Sequence, residues 1–240
     1  MKHTENEMLA LKNSVNDMWR LVISQLEKAK HAFLHNDIET ALEIVAREKR
    51  VDAFELKIDS DGENYIALYS PVAIDLRLVL SLIKISNTLE RIGDFTVSIA
   101  RHVIEEDCNK VSPNLIEDLR IERMLDVLQA MLSEAFVCLE TENTKFVGKI
   151  LAKDEEVNQI YRSAIDTLTK HMEIHPEDIH CGLQLLLLIR KLERIGDHCS
   201  NIIEEIVFYV DAKVLKHSGS DKSHILEEGQ PEIDPNFNID

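Results

Sequence analysis

The sequence predicts an all-α protein: two tandem three-helix bundles, six long antiparallel helices related by internal duplication. Three observations predict it. The hexapeptide Leu-Glu-Arg-Ile-Gly-Asp occurs at Leu89 to Asp94 and again at Leu192 to Asp197, 103 positions later, and Leu80, Leu82 and Ile99 match Leu183, Leu185 and Ile202 at the same offset. Agreement of the flanks marks a duplicated structural unit. Around each hexapeptide, apolar residues recur at alternating spacings of 4 and 3: Leu78, Leu82, Ile85, Leu89, Ile92, Thr96, Ile99 and Val103, then Cys181, Leu185, Leu188, Leu192, Ile195, Cys199, Ile202 and Ile206. A mean spacing of about 3.5 is the seam of helices packed knobs-into-holes. Finally, 45% of the 240 residues are apolar while only seven are Gly and five Pro, enough material for a core with few interruptions.

Periodicity and caps place the helices at residues 5–35, 37–68, 71–107, 113–141, 143–171 and 176–211, with no competing strand pattern. The first runs to His35 on apolar period alone. Asn36, with Glu39 three residues on, resembles a capping box for the second. Ser70-Pro71 starts the third, Ser112-Pro113 the fourth and His175-Pro176 the sixth, because proline is tolerated in a first helical turn; Asn143 is a candidate cap for the fifth. Connections this short force neighbours to run antiparallel. The units are therefore residues 1–110 and 111–212. Residues 213–240, with Gly219, Gly229, Pro231, Pro235 and many acids but no helical period, read as a disordered acidic tail.

Twenty-seven Lys and Arg against 44 Asp and Glu give a net charge of −17, the wrong sign for a protein that tracks a phosphate backbone. Nucleic acid and anionic lipid are not expected partners. Residues 1–16 lack the apolar segment of a secretory signal, and no run reaches the roughly 18 apolar residues of a membrane span, so a cytoplasmic protein is expected without membrane insertion. Cys108, Cys138, Cys181 and Cys199 have no paired spacing and read as buried free thiols.

The hexapeptide carries the chemistry. Glu90 with Asp94, and Glu193 with Asp197, are four apart, so each pair projects from one helix face. A solvated face is the bland explanation, but Gly93 and Gly196 argue for a use: mid-helix glycine costs about 1 kcal/mol relative to alanine, and the penalty is taken twice. Missing Cβ atoms let a neighbouring helix or bound group approach, and Arg91 and Arg194 can reach a carboxylate. On the preceding helix Ala41, Val45, Glu48, Asp52, Glu55 and Asp59 form one ridge in which acid interrupts an apolar line. Val147, Leu151, Asp154, Asn158, Tyr161 and Ile165 repeat its spacing. If both pairs of a unit converge, like charges about 4 Å apart repel by roughly 4 kcal/mol at an effective dielectric of 20. Cations relieve that, and oxygen-only donors suit Mg, Ca, Mn or Fe.

Together, the hexapeptide in a long helix, Glu-x-x-x-Asp in each of two three-helix units and the acidic pair on the preceding helix resemble the PhoU family over residues 7–211. The resemblance implies multinuclear iron or zinc clusters, held first by Glu48, Asp52, Glu90 and Asp94 and second by Asp154, Asn158, Glu193 and Asp197. Ser98 departs from the family's usual Asn after the first motif, and Asn158 leaves the second site one charge short. The resemblance further implies a non-catalytic, cytoplasmic negative regulator, often paired with a second copy, linking a phosphate ABC transporter to a sensor histidine kinase.

The other constellations are weaker. His31 with His35, and His171 with His175, are four apart and could ligate metal, but they fall at helix ends, where a cation favours the helix dipole. A ferritin-like di-metal oxidoreductase needs two Glu-x-x-His motifs on facing helices; Glu177 to His180 alone fits. No glycine-rich phosphate loop or nucleophile motif is present. A metal-free helical adaptor is the first alternative to the metal-binding regulator, and the di-metal oxidoreductase the second.

Overall fold

A computed structural model of the chain describes residues 2–105, 113–213 and 215. Among them are eight α-helices and no strand: α1 Lys2–His35, α2 Ile38–Ala46, α3 Glu48–Tyr69, α4 Ala73–Glu105, α5 Pro113–Asp118, α6 Ile121–Thr141, α7 Val147–Ile174 and α8 Ile179–Asp211, with a 3-10 turn at Pro176–Asp178 leading into α8. The six expected helices are recognisable, two of them interrupted. Arg47 divides the second into α2 and α3 by a single turn, its N–H reaching Ile44 O and Val45 O. Arg120 divides the fourth into α5 and α6 by taking a left-handed conformation, φ 54°. Neither residue is glycine or proline, so composition held no sign of either break. Cys108 and most of the tail expected at 213–240 lie outside the described residues.

Several caps differ from expectation. Asp37, not Asn36, caps α2: its carboxylate accepts from the Thr40 N–H at 3.1 Å and the Thr40 hydroxyl at 2.7 Å, while Asn36 is left-handed. Ser70, also left-handed, closes α3 through its N–H to Ile66 O, and α4 begins only at Ala73. Asn143 sits in a turn, accepting from the Lys145 N–H, and α7 starts at Val147. Pro176 opens the 3-10 turn, its missing N–H costing nothing there.

Helix α4 packs against α1, α2 and α3, and α8 packs against α6 and α7. The halves meet where α4 crosses α8 and where α1 meets α6. The α4 and α8 chains run antiparallel, since Ser81 Oγ donates to Glu205 O while further along Phe95 stacks on His198. The repeated hexapeptides therefore lie back to back across a local pseudo-twofold axis, each turning its Glu-x-x-x-Asp towards its own half. Lys84 to Glu205 at 3.2 Å and the Trp19 indole N–H to Leu132 O at 3.1 Å join the halves. Trp19 is wholly buried, with Phe136 beside it.

One core position shows how the halves have diverged. Gln25 on α1 is 1% exposed, and neither its amide nitrogen nor its oxygen has a hydrogen-bond partner among the described residues. It lies against Gly93, where the second half places Leu128 against Gly196 at the same offset. An unsatisfied buried amide costs about 1–3 kcal/mol. Gln25→Leu is therefore expected to stabilise the protein by about 1–2 kcal/mol in urea unfolding; a loss of stability would show that the amide is satisfied in solution.

Candidate metal centre

The first acidic cluster is assembled by α3 and α4. One carboxylate oxygen each from Asp52, Glu90 and Asp94 lie within 4.8 Å of one another. Asp52 and Glu90 are half-buried and Asp94 is exposed, which leaves the cluster open on one side. Glu90 and Asp94 come from successive turns of α4, and Asp52 faces them because Val51, one residue earlier, packs into the core against Gly93. A Cβ on Gly93 would lie 3.2 Å from Val51 Cγ1, a tight contact that the glycine relieves where α3 meets α4.

Crowding shows in the acid strengths. Burial, then Asp94, Glu55 and Asp52, push Glu90 up to about 7, against the opposing charge of Arg91. Asp94 is raised by burial, Asp52 and Glu48, with a hydrogen bond from Glu90 pulling the other way. Glu55 is raised by burial, then by Asp59 and Asp52. Without a cation the cluster therefore retains a proton near neutrality, on Glu90. Because the folded state holds this proton above the carboxylate's ordinary 4.5, it binds more protons than the unfolded chain between about 4.5 and 7. Through this group, cation-free protein is expected to lose stability as pH rises through that window, measured as the difference in urea midpoint between wild type and Glu90→Gln from pH 4.5 to 8. A difference that does not change with pH would contradict this.

Of the first set of candidate ligands, Asp52, Glu90 and Asp94 converge, whereas Glu48 is paired with Arg101, at 3.1 and 3.3 Å, while its charge still raises Asp94. Glu55 joins the electrostatic cluster as well. It stood on the same ridge three residues after Asp52, and that spacing was the available signal.

In the second half, Glu193 is raised by burial and by Asp197, with Arg190 and Arg194 opposing. Asp154 does not lean outward towards them: its Oδ1 sits 3.0 Å from where a Cβ on Gly196 would be, close enough to the buried Cys199 to help raise that thiol. Asn158 is half-buried on the next turn. Among the described residues, no three acidic groups of this half gather as Asp52, Glu90 and Asp94 do. Between the halves, Arg194 lies over the Phe95 ring and Phe95 stacks on His198, whose basicity falls through burial and then the charges of Arg91 and Arg194.

The arrangement offers hard oxygen donors, open to solvent, with a proton that a cation would displace. Asp52, Glu90 and Asp94 could hold one ion, with the charge of Glu55 beside them.

The PhoU domain family matches residues 15–103 and 121–206, one match in each half. The chain belongs to the PhoU family. The chain is 31% identical over 229 residues to the phosphate-specific transport system accessory protein PhoU of Escherichia coli (strain K12), covering 93% of this chain and 92% of the relative. With the protein of the same description from Edwardsiella tarda it shares 31% over 224 residues, covering 92% and 91%. The crystal structure of PhoU from Pseudomonas aeruginosa superposes with a TM-score of 0.82 at 27% identity, covering 87% of this chain and 99% of that one. The phosphate transport system regulatory protein PhoU from Streptococcus pneumoniae gives 0.77 at 25%, covering 88% and 99%. The PhoU match in both halves accounts for the duplicated hexapeptide, which falls inside each matched segment at Leu89–Asp94 and Leu192–Asp197.

Other expectations find their places in this PhoU fold. Cys138 and Cys199 are buried free thiols, and Cys181 is free and partly exposed. Glu177 and His180 lie where the 3-10 turn passes into α8, and among the described residues no helix is long and apolar enough to cross a membrane.

Proposed function

We propose that this PhoU-family protein is a non-enzymatic negative regulator of phosphate uptake and phosphate-starvation signalling, linking a phosphate ABC transporter to a sensor histidine kinase from the cytoplasmic side, as a homodimer. The observation that carries the reading is the PhoU match in both halves, together with near full-length likeness to proteins described as phosphate-specific transport system accessory proteins. The cluster at Asp52, Glu90 and Asp94 supports a metal-binding role within it, with iron, zinc or manganese as the ions to test. The chain's own residues would hold such an ion, and the ion would neutralise an otherwise repulsive face.

Affinity capture with the full chain from phosphate-replete cells is expected to recover transporter and kinase subunits. Deleting the gene is expected to switch on the starvation response while phosphate is plentiful. Unrelated partners with no derepression would overturn the regulatory reading. Metal-free protein that still captures these partners would leave a helical adaptor, and oxygen consumption with Fe(II) would favour an oxidoreductase.

A further inference from the structure

We propose that the apolar line Ile179, Leu183 and Leu187 on the outer face of α8 is where a second copy of this chain docks, with α8 packing on the partner's α8 about a twofold axis at Leu183. This rests on the reading of the chain as a homodimer and places the interface of that dimer. The three residues stand four apart and are 45%, 49% and 55% exposed, and Ile165 of α7, 39% exposed, widens the strip. Ile165 falls level with Leu187, because α7 and α8 are held in register by Arg190 on the Tyr161 hydroxyl and by Gly182 against Met172. A single exposed leucine needs no explanation, whereas a contiguous exposed apolar strip marks a contact site.

The duplication supplies the comparison. At the 103-residue offset, Ile179, Leu183 and Leu187 correspond to Leu76, Leu80 and Lys84. Lys84 is committed to the seam between the halves, pairing with Glu205 at 3.2 Å and lying over the Phe208 ring. On the preceding helix Ile165 corresponds to Asp59, which accepts from the Asn87 amide at 3.2 Å. The first half thus breaks the strip with a cation and an anion, and the second half fills both places with aliphatic side chains.

The strip is complementary to itself. Residues four apart form the ridge by which two helices most commonly interdigitate, crossing at about 50°. A twofold axis at Leu183 sets Leu183 against Leu183 and Ile179 against Leu187. The same axis brings Arg190, seven residues after Leu183, level with Glu177, six residues before it. Both are exposed, Glu177 at 71% of its side chain. Each copy therefore offers a cation where the other offers an anion, on both sides of the apolar centre. Two chains of net charge −17 need a contact face whose local charges cancel; this strip provides one, whereas the face of α3 and α4 carries the acidic cluster.

The test is sedimentation equilibrium of the untagged full chain across the micromolar range, with helical circular dichroism recorded for every variant. Wild type is expected to be dimeric. Leu183→Glu, which sets two carboxylates face to face on the axis, is expected to weaken the dimer on the order of a hundredfold, and Leu80→Glu, at the corresponding place on α4, to leave it unchanged. Arg190→Glu and Glu177→Arg are each expected to weaken it about tenfold, and the double exchange to restore it, which a loss of folding would not do. If Leu183→Glu fails to fold, the charge exchange decides, and a double variant no tighter than the single ones would overturn the assignment. A folded Leu183→Glu protein as dimeric as wild type would overturn this interface and leave the homodimer reading standing, whereas a wild type that stays monomeric would overturn both.

Discussion

Alanine at both Glu90 and Asp94 is expected to abolish cation binding by the first half of the protein, lowering Mn2+ affinity on the order of a hundredfold or more, since outer-shell groups alone are worth 10–100-fold. Two of the three converging carboxylates would be gone, and Asp52 cannot hold an ion alone. The same change should make cation-free protein more stable at pH 8. The wild-type cluster must there give up the proton that Glu90 keeps up to about 7, leaving three carboxylates within 4.8 Å. Like charges this close repel by kilocalories, discounted at a partly exposed site by solvent screening. Four urea titrations at pH 8 decide the matter: wild type and the double variant, each without Mn2+ and with it. Mn2+ should raise the wild-type midpoint and leave the variant unmoved; equal stabilisation of both would place the ion elsewhere.

Trp19→Ala is expected to cost about 3–5 kcal/mol, the range for deleting a large buried aromatic. Trp19 has no exposed surface, packs against Phe136 at 5.5 Å and donates its indole N–H to Leu132 O, so it belongs to both halves at once. Its loss should loosen the α1–α6 contact before it melts either set of helices, appearing as raised hydrogen exchange along α6 at low denaturant. Trp19→Phe should recover most of the stability, because it keeps the buried ring and gives up the hydrogen bond alone. A Trp19→Ala protein within about 1 kcal/mol of wild type would show that the cavity collapses without penalty.

Much of this was legible along the chain. The 4-3 apolar stripe from Leu78 to Val103 is buried almost residue for residue, and so is its repeat from Leu185 to Ile206. Such stripes are readable because a helix imposes one period on every residue it contains. The acidic ridge on the preceding helix was legible for the same reason. Caps were less so: four helices end on left-handed residues that are not glycine, Asn36, Ser70, Glu142 and Ala212, which tertiary packing holds there despite a local cost. Arg47 and Arg120 break helices for reasons their own side chains do not announce.

The sequence by itself determined the helical class, the duplication, the seam and the ridge on which a cation could be held, since all four are periodic properties of one segment. Only the tertiary structure decided which carboxylates meet. Glu48 pairs with Arg101, 53 residues away, and Glu55 adds its charge to the cluster. Asp154 tucks against Gly196, while in the first half Glu90 and Asp94 converge on Asp52. A side chain settles on the best partner within reach, and those partners arrive from other helices, so no spacing along a single helix records the outcome.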